Sequence, residues 1–165
     1  MAWLNQLLSR FADKQHSHIY LCQMPHWRIV GLREFSVFFR ALPGLVPAES
    51  VLCIESTGFS PDAAEYLSRH AISNPERQIQ RGTILPRPRS FHVPVADAVM
   101  SGLADITERH AEPEVADHMV AYHDRGVVLE WYDAGSDPIF VAKEIPEATV
   151  AVFCIKIGAK FDELT

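Results

Sequence analysis

One short segment rich in histidine and carboxylate residues comes closest to a chemical site. Pro113 predicts the start of a short helix that carries Val115 and Met119 on one face. On that helix Glu114 and His118 are four residues apart, so a carboxylate and an imidazole can converge on one cation. Zinc or iron suits such ligands and can activate a water molecule for hydrolysis. The candidate metal ligands are His92, His110, Glu114, Asp117 and His118.

The same segment also has an ordinary structural interpretation. Carboxylates in the first turn of a helix are stabilised by the helix dipole, and a histidine often bonds a backbone carbonyl or faces solvent. The chain has no HExxH motif and no pair of CxxC motifs that would fix a ligand set. Metal-dependent hydrolysis is therefore the alternative hypothesis, not the leading one.

A run of arginines forms the second candidate site. No acidic residue occurs between Arg77 and Asp97, although the whole chain is acidic. Arginine captures carboxylate or phosphate groups through two parallel hydrogen bonds, so this run predicts a surface for a protein partner or a small anionic ligand. Solvated charges along an edge strand and a loop explain the same residues. The candidate binding residues are Arg77, Arg81, Arg87 and Arg89.

Glu55 is the third candidate, as a general base. It follows the apolar run 51–54, and Ser60 and Pro61 then predict the start of a helix. Ligands often bind at the carboxyl ends of strands in α/β sheets, where a carboxylate can accept a proton. A connecting turn with a capping serine is the favoured explanation of these residues. The segment has no glycine-rich phosphate loop and no GxSxG elbow.

Charge and composition exclude several classes of protein. The 165 residues include 15 Lys and Arg against 21 Asp and Glu, a formal net charge of −6, which argues against a dedicated nucleic-acid binder. No apolar stretch approaches the roughly 20 residues that cross a bilayer. The three cysteines lie in apolar runs without paired spacing, which is typical of reduced thiols. We expect a cytoplasmic protein.

The elements that must position these residues follow from hydrophobic periodicity and turn signals. Helices are predicted at 2–13, 31–42, 61–69, 95–109 and 146–157, together with the short helix at Pro113. Strands are predicted at 19–22, 51–54, 82–85, 91–93, 127–132 and 139–142, the last two forming a hairpin.

This order predicts one domain over residues 1–165 of the α/β or α+β class. We expect a mixed sheet of about five strands covered by helices, with a late antiparallel hairpin and a C-terminal helix. The amphipathic helix 2–13 is expected to dock on its own domain or to swap into a symmetric partner, giving a homodimer. The leading functional hypothesis is a non-catalytic binding or interaction protein that uses the arginine surface, and no family resemblance supports a more specific one.

Overall fold

The computed structural model describes residues 21–79, 87–124, 126–136 and 138–165. The strands are β1 (His26–Val30), β2 (Val51–Ser56), β3 (Arg89–Pro94), β4 (His118–His123), β5 (Gly126–Trp131), β6 (Ile139–Ala142) and β7 (Lys160–Leu164). The α-helices are α1 (Phe35–Ala41), α2 (Pro61–His70), α3 (Asp97–Thr107) and α4 (Glu147–Ile157). Single 3₁₀ turns occur at Leu21–Gln23, Leu42–Gly44 and Glu112–Glu114.

The strands form one sheet in the order β3-β2-β4-β5-β6-β1-β7, and every neighbouring pair is antiparallel. The chain is therefore a single α+β domain. The prediction of a mixed sheet of about five strands was wrong in strand count and in strand direction. Strands β1 and β7 were missed because both contain charged residues and lack clear alternation. The β5–β6 hairpin is confirmed.

Helix α1 supplies the centre of the core. The Phe38 ring lies 4.8 Å from the Trp131 ring and 6.1 Å from the Phe153 ring, measured between centroids. Its neighbour Phe39 is also fully buried and meets Phe38 edge-on at 5.5 Å. The aromatic spacing that predicts this helix therefore identifies the residues that join α1 to β5 and to α4.

Local signals explain where the helices begin and end. The Ser60 side chain accepts a hydrogen bond from the Ala63 amide at 3.4 Å, and Pro61 occupies the first helical position, as predicted. Gly158 ends α4 in the left-handed conformation, with φ of 68°. The helices are 7 to 11 residues long, and among the described residues none is long and apolar enough to cross a membrane.

The prediction of a helix at Pro113 was wrong. Glu112–Glu114 form a single 3₁₀ turn, and the chain then enters strand β4. The spacing of Val115 and Met119 fits a helix, but the four buried residues that begin at Met119 form the centre of a strand covered on both faces. Of the strand predicted at 19–22, the described part is a 3₁₀ turn. Helix 2–13 and strand 82–85 lie outside the described residues.

Gly102 lies inside α3 because Tyr66 of α2 occupies the space that a side chain would need. A Cβ atom there would overlap the Tyr66 ring, whose hydroxyl donates a hydrogen bond to the Val99 carbonyl at 3.1 Å. We expect Gly102→Ala to lower the free energy of unfolding by about 1–3 kcal/mol, since displacing the ring outweighs a gain in helix propensity of about 1 kcal/mol. Urea denaturation measures this loss. In a Tyr66→Ala background the loss should vanish; an equal loss in both backgrounds would contradict the explanation.

Candidate functional site

The sheet face turned away from the helices carries several ionisable side chains. Leu52 and Ile54 belong to the helix-covered core, so the alternating residues Cys53 and Glu55 point to the opposite face. Glu55 is 5% exposed. Burial, with a smaller contribution from Glu55, raises the pKa of the Cys53 thiol to about 12, so this thiol is not a nucleophile at neutral pH.

The strand register brings together two candidates that the sequence treats separately. Glu55 on β2 stands directly opposite His118 on β4. Directly opposite residues in an antiparallel pair have Cβ atoms about 4.5–5.5 Å apart on the same face. The His118 ring also lies 5.6 Å from the Tyr132 ring, which follows β5. Glu55, His118 and Tyr132 therefore form one row across three strands.

His118 is held in one orientation by the backbone of the following turn. The Asp133 amide donates a hydrogen bond to His118 Nδ1 at 3.0 Å. Because Nδ1 is the acceptor in this bond, the neutral ring carries its proton on Nε2. Asp133 has a φ of 49°, a left-handed conformation that aspartate and asparagine tolerate better than most residues. The turn thus fixes the tautomer of His118.

A cavity of about 410 Å³ opens beside His118, and we refer to it as the His118 pocket. Its walls come from the 3₁₀ turn Glu112–Glu114, the start of β4 and the turn after β5. The lining residues are Glu112, Pro113, Asp117, His118, Asp133, Ala134, Gly135 and Ser136. Three of these side chains are carboxylates, and within the described part of the chain no lysine or arginine lines the pocket.

Asp117 joins the start of β4 to the loop after β2 and to the turn after β5. Its Oδ2 atom accepts hydrogen bonds from the Thr57 amide at 2.7 Å and from the Thr57 hydroxyl at 2.8 Å. Its backbone amide donates to the Glu55 carbonyl at 2.7 Å, and its carbonyl accepts from the Ala134 amide at 2.7 Å. Asp117 therefore positions the loop after β2 and the turn after β5 against the start of β4.

Gly135 allows the turn after β5 to lie close to the 3₁₀ turn Glu112–Glu114. Its φ of 100° favours glycine, and a Cβ atom there would lie 3.2 Å from the Cβ and Cγ atoms of Glu112. The Trp131 indole donates to the Ser136 carbonyl at 2.6 Å, and the Ser136 hydroxyl donates to the Asp133 carbonyl at 2.6 Å. The two sides of the pocket are therefore set by backbone geometry and by a buried tryptophan.

The other candidate metal ligands lie apart from Asp117 and His118. His92 on β3 shares a hydrogen bond of 2.9 Å with the Tyr122 hydroxyl, and burial lowers the pKa of His92. Glu114 accepts from the Ala111 amide at 3.0 Å. Within the part of the chain that the structure describes, no three His, Cys, Asp or Glu side chains are grouped so that they could hold a metal. The helix that would have brought Glu114 to His118 is absent, so the structure gives the predicted zinc or iron site no support.

His110 instead belongs to a cluster at the start of α2. Its Nε2 atom donates to the Asp62 carboxylate at 2.9 Å, and Arg109 approaches the same carboxylate at 3.3 Å. The hydrogen bond from His110, followed by those from Ser60 and Arg109, lowers the pKa of Asp62 well below its usual range. This cluster ties the loop after α3 to the first turn of α2.

Glu130 is a buried carboxylate that the sequence analysis missed. It is 2% exposed, and its Oε2 atom accepts a hydrogen bond from the Leu21 amide at 2.6 Å. Burial raises its pKa to about 7, although the Leu21 amide, the Tyr132 hydroxyl and the Arg77 charge oppose this rise. The available signal was a single charged residue inside the apolar run 127–132.

The described arginines of the second candidate site do not share one surface. Arg77 lies near Glu130 and Tyr122 on the sheet face turned away from the helices. Arg89 stacks over the Phe91 ring at 5.1 Å, and Phe91 packs against the helix-covered core. Arg87 is exposed just before β3, and Arg81 lies outside the described residues.

No protein-family model matches the chain, and neither a curated protein nor a solved structure matches it significantly. The function of the His118 pocket is therefore inferred from its own residues and geometry.

Proposed function

We propose that this protein is a non-catalytic binding protein whose His118 pocket takes a cationic group. That group is an ammonium or a guanidinium, carried by a small molecule or by a side chain of a protein partner. One observation carries the proposal: the carboxylates of Glu112, Asp117 and Asp133 line a single cavity, and none of its described lining residues is lysine or arginine.

The chemistry of the pocket favours a cation over an anion. Charge-assisted hydrogen bonds from ammonium or guanidinium groups to carboxylates are about twice as strong as neutral ones. The Thr57 amide and hydroxyl both donate to Oδ2 of Asp117. Glu112 and Asp133 are exposed at the pocket walls. The net charge of −6 adds a long-range attraction for cations. A cationic ligand would therefore gain both direct contacts and electrostatic steering.

The arginine segment supports a second candidate, an anionic partner at the edge of the sheet. Arg89 is exposed, and its guanidinium is held over the Phe91 ring at 5.1 Å. Arg87 is exposed two residues earlier, and β3 is the last described strand on this side of the sheet. Such a pair suits a carboxylate or phosphate group. This candidate uses Arg87 and Arg89 and leaves Arg77 out, because Arg77 lies on the opposite face.

Titration of the ¹⁵N-labelled 165-residue chain tests both candidates. We expect agmatine, which carries an ammonium and a guanidinium, to shift the amide signals of residues 112, 114–118 and 133–136. Asp133→Asn should weaken agmatine binding about two- to fivefold, because an ion pair at an exposed carboxylate contributes up to about 1 kcal/mol. Asparagine tolerates the left-handed backbone at this position, so the turn should be retained.

The matched control is Asp97→Asn, which neutralises an exposed carboxylate at the start of α3. It should leave agmatine affinity unchanged, because Asp97 is not among the described residues that line the pocket. Amide shifts that appear with inorganic phosphate, and are confined to residues 87 and 89–91, would favour the arginine candidate. Equal losses in both Asn variants would show only general charge attraction and would overturn the pocket assignment.

A further inference from the structure

Helix α4 is apolar on its outer side as well as on its inner side. Its inner residues Val150, Phe153 and Ile157 are buried in the core. On the outer side, however, Val152 is 53% exposed and Ile155 is 79% exposed. A helix that is hydrophobic all round is normally covered on every side. The outer side of α4 is thus a surface that another apolar surface would cover favourably.

The part of this surface next to the sheet edge can be located from Lys156. The Lys156 ammonium reaches Gly44, beyond the end of α1, so its side of α4 faces the middle of the domain. At about 100° per residue, Ile155 lies roughly 100° and Ala151 roughly 140° around the helix from Lys156. Ile155 and Ala151 therefore lie toward the opposite flank, on the side of β7.

Strand β7 has the charge pattern of a strand that pairs with a copy of itself. Among the described strands it pairs only with β1, so its outer edge has no described partner. Lys160 and Asp162 lie on the same face of the sheet, two residues apart. In an antiparallel pair of β7 strands centred on Phe161, Lys160 of each copy stands opposite Asp162 of the other. Centring on Asp162 instead would place two aspartates opposite each other.

We propose that two copies of this chain form a symmetric dimer by pairing their β7 strands. The two α4 helices then contact each other above the paired strands. A two-fold axis perpendicular to the sheet continues the sheet through both copies and keeps both α4 helices on one side. Ala151 and Ile155 are then the apolar contacts, and the Lys160–Asp162 pairs set the register. Within one copy Asp162 accepts a hydrogen bond from Arg28 on β1 at 3.0 Å, so in the dimer its carboxylate lies between Arg28 and Lys160 of the other copy. The dimer does not depend on the function proposed for the His118 pocket.

Sedimentation equilibrium of the full chain tests the dimer. Between about 1 and 100 µM we expect the mass to rise toward twice the 18.5 kDa of one chain. Ile155→Lys should weaken dimerisation at least about tenfold, because it places two charges in the apolar contact. Lys160→Glu should also weaken it, since like charges then face each other.

The control is Ser101→Lys, which adds the same charge to an exposed position on α3. It should dimerise like the wild type. Circular dichroism should show that all variants remain folded, because the substituted side chains are exposed. A wild-type chain that is monomeric throughout this range would overturn the proposal. So would an Ile155→Lys variant that dimerises as well as Ser101→Lys, since α4 would then lie outside the interface.

Discussion

Phe38→Ala is expected to lower the free energy of unfolding by about 3–5 kcal/mol. The Phe38 ring is fully buried and contacts three other aromatic rings, those of Phe39, Trp131 and Phe153. Removing it leaves a cavity between α1, β5 and α4 that rigid neighbouring rings cannot fill. Urea denaturation measures the loss as a lower midpoint with an unchanged slope.

Phe140→Ala provides the matched control. It removes the same ring from a half-buried position, where the ring meets His26 edge-on at 5.2 Å. Because the stabilisation scales with the apolar area buried, we expect roughly half the loss of Phe38→Ala or less. Losses of equal size would show that Phe38 is not the centre of the core.

Helices α1, α2 and α4 could be predicted from the sequence because their signals are local. The phenylalanine spacing of α1, the Ser60 cap of α2 and Gly158 after α4 each act within a few residues. Strand β7 depends instead on a distant partner. Its side chains are mostly polar and give no clear strand pattern. It becomes a strand because β1, which is distant in the sequence, provides backbone hydrogen-bond partners.

The candidate site was predictable in its residues but not in its arrangement. Glu55 and His118 were each identified from local context, and only the β2–β4 register shows that they stand opposite each other. The error at Pro113 followed from treating two apolar residues as a helical period. A helix there would have grouped Glu114 with His118, whereas the strand groups His118 with Glu55 and Tyr132.

Glu130→Gln is expected to stabilise the protein above pH 7. Burial raises the pKa of Glu130 from its ordinary 4.5 to about 7, so the folded state keeps a proton that the unfolded state loses between these values. The stability of the wild type should therefore fall as pH rises from about 4.5 to 7, by on the order of 3 kcal/mol. Glutamine removes the charge and keeps an oxygen that accepts from the Leu21 amide.

Urea denaturation from pH 4.5 to 8 measures the difference between the Glu130→Gln variant and the wild type. The two should be nearly equal at the acidic end, and the variant should gain steadily up to about pH 7 and remain constant above it. Glu144→Gln, at an exposed carboxyl, is the control and should not change the pH profile. A variant that is less stable than the wild type at pH 8 would mean that the Arg77 and Tyr132 contacts outweigh the cost of burying the charge. Glu130 would then hold the Leu21 segment to the sheet as an ionised group.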